Sequence, residues 1–188
     1  MFNIPYLRII IIIFLCGWNS SQADLPVAKE YQIKSVFLYN FSYFIKWPET
    51  VFNSNDAPFN FCILGEDLFK RGIDLAVKNE SVNGHASLVK RFKSLENTET
   101  SLENIETCQI LFINKSEEAY LTAILNYLHG YPVLTVSDID SFVEQGGMIQ
   151  FFERGEKVRL LINPNKVKAT GLQISGNLLR IAKIFRSF

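Results

Sequence analysis

Apolar positions along the chain repeat at two periods, near four in some stretches and at two or in unbroken runs in others. The switches between them mark the elements. Over 30–47, Ile33, Phe37, Phe41 and Phe44 recur at spacings of four, four and three, which predicts one face of a helix. Val36, Leu38, Tyr39, Tyr43 and Ile45 widen that face almost all round. Such a helix must be covered on most sides, by its own domain or by a second chain. Pro48 is expected to stop it, because its ring denies the helix the next hydrogen bond. Phe59–Leu64 reads as a strand, Gly65 as a turn, and Glu66 or Asp67 as the cap of a helix to about residue 78. A weaker strand is predicted over 88–92 and a polar loop over 96–106.

The run over 109–113 is continuously apolar, as in a strand buried on both faces. Ser116, Glu117 and Glu118 open a helix that runs to His129, and Gly130 ends it. A strand over 132–136 leads to a short helix over 138–145, ended by Gly146 and Gly147. Residues 148–152 and Val158–Ile162 alternate about Arg154, Gly155 and Glu156, a hairpin signal. A short helix over 164–170 follows. Ile174, Leu178, Ile181 and Phe185 then stripe a C-terminal helix, with Arg180, Lys183 and Arg186 toward its negative end. Strands alternating with helices in the middle of the chain imply a mostly parallel sheet with crossover helices, and the late hairpin adds antiparallel strands at one edge. One α/β sandwich domain over 24–188 is the economical architecture, with no internal repeat and no linker.

The first 23 residues belong to a different pattern. Arg8 precedes an unbroken apolar run from Ile9 to Cys16, and Ser21-Gln22-Ala23 places small residues where a signal peptidase reads. The apolar stretch falls short of the roughly 20 residues that span a bilayer comfortably. A signal peptide over 1–23 is therefore expected, with the mature chain beginning near Asp24 and working in the periplasm. A retained N-terminal anchor is the alternative. A lipoprotein is disfavoured because Leu15, not a small residue, precedes Cys16.

The chain holds 19 basic and 19 acidic residues, and loss of Arg8 leaves a net charge near −1. No Lys/Arg cluster gives the electrostatic footprint of a nucleic-acid binder, so nucleic acid is not an expected partner. Sixteen Phe make the chain unusually aromatic; most belong in the core, and a surplus can line a partner surface. Once Cys16 leaves with the leader, Cys62 and Cys108 remain. Two cysteines in an oxidising compartment most often form one disulfide, here closing a loop of about 47 residues worth about 4 kcal/mol in the chain-entropy picture. Two buried free thiols are the alternative. A metal site is not expected, because two sulfurs with no nearby His leave the coordination unfilled.

Candidate chemistry is sparse. The first strand-to-helix turn reads Leu64-Gly65-Glu66-Asp67, without the glycine pattern of a dinucleotide fold and with two carboxylates where an anion would sit. The two histidines, His85 and His129, stand in no nucleophile–base constellation. Ser137 and Asp138 end a buried strand, where an N-cap explains them better than catalysis does. No catalytic residue and no cofactor is expected.

An ordered set of segments carries a resemblance. It comprises Tyr39-Asn40-Phe41 with Lys46-Trp47-Pro48-Glu49, then Phe61-Cys62-Ile63-Leu64-Gly65, Cys108-Gln109-Ile110-Leu111-Phe112-Ile113 and Leu134-Thr135-Val136-Ser137-Asp138. Gly146-Gly147-Met148-Ile149, Val158-Arg159-Leu160-Leu161-Ile162-Asn163 and Gly171-Leu172-Gln173-Ile174-Ser175 complete it. Together they cover nearly all of the mature chain and resemble the YfiR family of periplasmic regulators.

The resemblance implies a Rossmann-like three-layer sandwich, a homodimer and no enzymatic activity. It implies binding to the periplasmic sensor domain of an inner-membrane diguanylate cyclase, which is thereby held inactive, with consequences for cyclic di-GMP and biofilm. It also implies an OmpA-like outer-membrane lipoprotein that sequesters the regulator. The family's cysteine pair matches Cys62 and Cys108. A second pair in the best-described member has no counterpart here, so a redox response resting on it does not carry over. The candidate partner surface is Leu161, Asn163, Leu172, Ile174 and Ser175, with Lys46 beside Trp47; its apolar members have core packing as the competing role. A second hypothesis is a periplasmic small-ligand binder or sensor with an aromatic pocket. A third is an enzyme, which would need His85, His129 or Asp138 within hydrogen-bond reach of one another.

Overall fold

The computed structural model describes residues 26–95 and 102–186. The leader expected over 1–23 and most of the loop expected over 96–106 lie outside them. Helix α1 (Val27–Phe44) runs into strand β1 (Ile45–Lys46). Then come β2 (Phe59–Leu64), α2 (Gly72–Val77), β3 (Ser81–Val82), β4 (His85–Phe92) and β5 (Ile110–Ile113). After them lie α3 (Leu121–Tyr127), β6 (Leu134–Ser137), β7 (Ile149–Glu153) and β8 (Val158–Ile162). The chain ends with α4 (Pro164–Ala169), β9 (Gln173–Ile174), α5 (Gly176–Ile181) and β10 (Lys183–Ile184).

Eight strands form one sheet in the order β10-β8-β7-β6-β5-β2-β4-β3. Strands β7, β6, β5, β2 and β4 are mutually parallel, and β7–β8 is the antiparallel hairpin expected from the sequence. Residues alternate strictly between the two faces. Phe59, Phe61, Ile63, Ile110, Phe112, Leu134 and Val136 pack with α1, α2, α4 and α5. Cys62, Leu64, Leu111 and Ile113 point the other way, toward Leu121, Ile124 and Leu128 of α3. This is the period of two seen in the sequence, doubled because both faces are covered. The molecule is thus a mixed α/β fold with a mostly parallel sheet and helices against both faces. The Rossmann-like three-layer expectation is met in part, since the α3 side carries one short helix and the rest of its cover is turns.

Several boundaries differ from the sequence expectation, each for a local reason. α1 ends at Phe44, four residues before Pro48, because Ile45 and Lys46 pair antiparallel with Ile174 and Gln173. Its buried face is Tyr31, Lys34, Ser35, Leu38, Phe41 and Ser42, so Ile33, Phe37 and Phe44 are only half-buried. The helix after Gly65 begins at Gly72; before it, Asp67 Oδ1 accepts from the Phe69 and Lys70 amides and holds a turn. The helix expected over 138–145 is a run of turns, with Ser141 at φ 56°. The helix expected from 116 starts as a 3₁₀ turn over Lys115–Tyr120, capped by Asn114, before α3.

The long C-terminal helix expected over 174–185 is replaced by β9, the six-residue α5 and β10. Ile174 is taken by Ile45, Ser175 caps α5 through the Asn177 amide, and extended Ala182 feeds Lys183 and Ile184 onto β8. The strand expected over 88–92 is present but starts earlier, at His85, because it pairs with β3 in a hairpin whose two-residue turn is Asn83 (φ 52°) and Gly84 (φ 91°).

Cys62 and Cys108 form the disulfide, with Cα atoms 6.0 Å apart. Among the described residues no helix is long and apolar enough to cross a membrane.

Candidate functional site

In a parallel sheet wound in both directions, ligands settle beyond the carboxyl ends of the strands, where the strand order reverses. Here that point lies between β2 and β5. Gly65 follows β2 at φ +90°, and a Cβ on it would lie 2.5 Å from Glu117 Oε1 and 2.4 Å from Ser116 Oγ. Glycine is required because a protein carboxylate presses against it. Glu117 is fully buried and accepts from Ser94 Oγ at 2.6 Å, the Leu95 amide at 2.9 Å and Ser116 Oγ at 2.7 Å. The place where a dinucleotide fold holds a phosphate is filled by this chain's own anion. Glu66 stays exposed, and Asp67 is bound by Arg91, so the acidic turn foreseen in the sequence is structural.

Beside it, at the end of β6, a buried ionic cluster ties α1 to the sheet. Lys34 is 2% exposed and donates to Asp138 Oδ2 at 2.5 Å, while pairing with Glu30 one helical turn away. The Tyr31 hydroxyl donates to the same Asp138 oxygen at 2.6 Å. The Lys34 ammonium lies 4.2 Å from the centre of the Tyr31 ring. Asp138 therefore serves as an anchor. The N-cap expected at Ser137-Asp138 has no helix to cap; Ser137 Oγ instead accepts from the Ile139 amide and holds the turn after β6.

Burial first, and then the Asp138 charge, push the Tyr31 phenol well above its ordinary range. A group whose pKa is raised on folding contributes fully below its unfolded pKa, and that contribution fades as pH climbs past about 10. The melting temperature of the wild type should accordingly fall more steeply between about pH 9 and 11 than that of Tyr31→Phe. Parallel curves for the two proteins would remove Tyr31 from the account.

A second feature is the ribbon of β1 and β9. The Ser175 amide donates to the Phe44 carbonyl at 2.8 Å and extends the pairing. This brings exposed Lys46 together with half-buried Ile174 and Ser175, three of the residues named from sequence. Leu172 is buried in the core. Asn163 is buried too, and its Oδ1 caps α4 through the Lys166 amide. Leu161 is half-buried on β8, opposite Lys183.

Trp47 is fixed by its indole N–H to the Gln109 carbonyl at 3.1 Å and by an edge contact with Phe59. A cleft of about 720 Å³ opens beside Lys46, between Trp47, Phe52, Asn55 and His85. Sequence reasoning missed this cleft. His85 stacks on Phe52 with ring centres 3.6 Å apart, and its Nδ1 must carry the proton it donates to the Ala57 carbonyl at 2.7 Å. His85 and Asp138 thus have separate partners, and the catalytic grouping required of an enzyme is not assembled between them.

Fold and site define an α/β protein whose own Glu117 fills the place where a dinucleotide fold holds a phosphate. Residues 31–183 match the YfiR/HmsC-like family (DUF4154), and the chain belongs to that family, whose members are regulators rather than enzymes. No curated protein matches the chain by sequence. Among solved structures, a conserved domain protein from Vibrio cholerae O1 biovar eltor is similar at 12% identity and a TM-score of 0.56, covering 87% of this chain and 62% of that one. The ABC domain from Streptococcus pneumonia, solved in complex with L-Trp, is similar at 10% identity and a TM-score of 0.54, covering 82% and 60%. The chain spans about three fifths of either structure's length, and at these identities the likeness is one of fold.

Proposed function

We propose that this protein is a periplasmic regulator that binds the periplasmic sensor domain of an inner-membrane signalling protein, a diguanylate cyclase, and holds it inactive. Membership of the YfiR/HmsC-like family across 31–183 is the observation that carries this reading. The Cys62–Cys108 disulfide supports an oxidising compartment. Binding one conformation of the sensor shifts its population and lowers cyclic di-GMP without any turnover by the regulator. The ribbon carrying Lys46, Ile174 and Ser175 is the contact face, and an OmpA-like outer-membrane lipoprotein competes for it. The regulator works as a homodimer.

The test is capture by the purified protein of the periplasmic domain of any membrane receptor encoded beside this gene, together with cyclic di-GMP levels after deletion. Lys46→Glu alters an exposed side chain and should weaken capture by about tenfold, equivalent to 1.4 kcal/mol. No capture, with cyclic di-GMP unchanged on deletion, would reject the proposal.

A small-ligand sensor is the second reading, favoured by the cleft itself. It joins the aromatic rings of Trp47 and Phe52 to the polar groups of Lys46, Glu49, Asn55 and His85, the mixture that fixes small molecules. A thermal shift with tryptophan or a nucleotide that is lost in Phe52→Ala would establish it.

A further inference from the structure

Along the N-terminal half of α1, away from the ribbon that follows its C-terminal end, a trough of about 910 Å³ runs between α1 and α2. Val27, Ala28, Val36, Leu68, Leu75 and Ala76 line it, and Val27, Val36 and Leu75 remain more than half exposed. Gly72 permits the close approach that shapes it, since a Cβ there would meet Ser35 Oγ at 2.9 Å. From Val27 to Val36 the α1 wall is about 14 Å long, or between two and three helical turns.

Its rim is cationic. Lys70 and Arg71 line the trough, and neither makes an ion pair among the described residues, although Arg71 lies near enough to Asp74 to help hold its carboxyl low. The nearby carboxylates are already taken, because Asp67 and Asp74 are both bound by Arg91. We infer that the trough docks an amphipathic helix with an acidic flank from a partner protein. Apolar side chains at i, i+4 and i+7 would fill the floor over those two to three turns, and carboxylates would meet Lys70 and Arg71. A second copy seated symmetrically would set these cations against their own kind. A bilayer surface is flat where this site is concave. The face lies apart from the ribbon, so the inference stands independently of the proposed regulator–sensor contact.

The probe is a fluorescent helical peptide of about four turns, with Leu at i, i+4 and i+7 and Glu on its flanks; the control carries Lys in place of Glu. Anisotropy with the purified protein should show saturable binding of the acidic peptide, at least about tenfold tighter than the control and weakened by salt. Leu75→Asp and Arg71→Glu should each weaken it by about tenfold or more. Leu75 is 67% exposed, so an unchanged circular dichroism spectrum and melting point keep Leu75→Asp interpretable. Equal affinity for both peptides, or no saturable binding, overturns the inference. So does self-association of the wild type that Leu75→Asp abolishes, or binding to phosphatidylglycerol vesicles that the same change removes.

Discussion

Lys34→Ala is expected to lower the unfolding free energy by about 3–5 kcal/mol, measured by urea denaturation at neutral pH. The magnitude comes from what is left behind more than from what is lost. Lys34 is almost fully buried and holds two carboxylates, Glu30 and Asp138, whose side chains keep only 17% and 13% of their surface exposed. Remove the ammonium and both are left largely desolvated without their cation, and must take up protons or draw in more water. Asp138 is already short of partners, since its Oδ1 is buried with no hydrogen bond.

The arrangement can be separated from simple packing. Lys34→Met keeps most of the apolar stem yet should cost nearly as much as Lys34→Ala, because the charge imbalance is the same. Adding Glu30→Gln and Asp138→Asn to Lys34→Met should recover much of the loss, as replacement of whole buried ionic groups often does. A loss below about 1 kcal/mol in Lys34→Ala would show that the cluster is solvated and unimportant. Hydrogen exchange localises the effect: amides of the first turns of α1 should lose protection before those of β5 and β6.

The cluster also shows what a sequence conceals. Hydropathy placed Ile33, Phe37, Phe41 and Phe44 on the buried face, and only Phe41 lies fully within it. The face is turned toward Tyr31, Lys34 and Leu38 because an ion pair from β6 seats a lysine in the core, and Asp138 stands more than a hundred positions away. The central strands were legible because both faces are covered, and runs such as FNFCIL and ILFI have no other use at that length. Their disulfide was legible for a different reason: two cysteines in a chain whose leader reads as an export signal have few alternatives.

The C-terminal region was misread because Ile174, Leu178 and Ile181 keep helical spacing while tertiary pairing takes Ile174 into a strand. The same pairing assembles the ribbon. Lys46 and Ser175 are thus neighbours through a contact that no local pattern announces. The cleft by His85 was illegible because it joins the loop after Trp47 to the β3–β4 turn, two segments that are polar and ordinary in isolation.

Replacing Cys62 is expected to cost about 2–4 kcal/mol, the second large effect. The bridge joins β2 to the residue entering its neighbour β5, and the two cysteines lie 46 positions apart. Opening it restores to the unfolded chain the freedom of a long loop, and the chain-entropy figure for that length is about 4 kcal/mol. Cys62→Ala leaves a thiol at Cys108 and a small void among Leu64, Leu111 and Leu121, so the double change Cys62→Ala with Cys108→Ala is the cleaner comparison. Both sulfurs are buried, at 1% and 2% residue exposure, so reductant should act only through the unfolded chain. Equilibrium urea unfolding of the wild type should therefore shift to lower denaturant with dithiothreitol present, by the same amount as the double alanine variant shifts without it. Coincident midpoints with and without reductant would mean that the bridge contributes nothing. Near-native activity of the double variant at low temperature, with loss on warming, would assign the disulfide to stability; loss of partner capture at every temperature would assign it to the shape of the binding face.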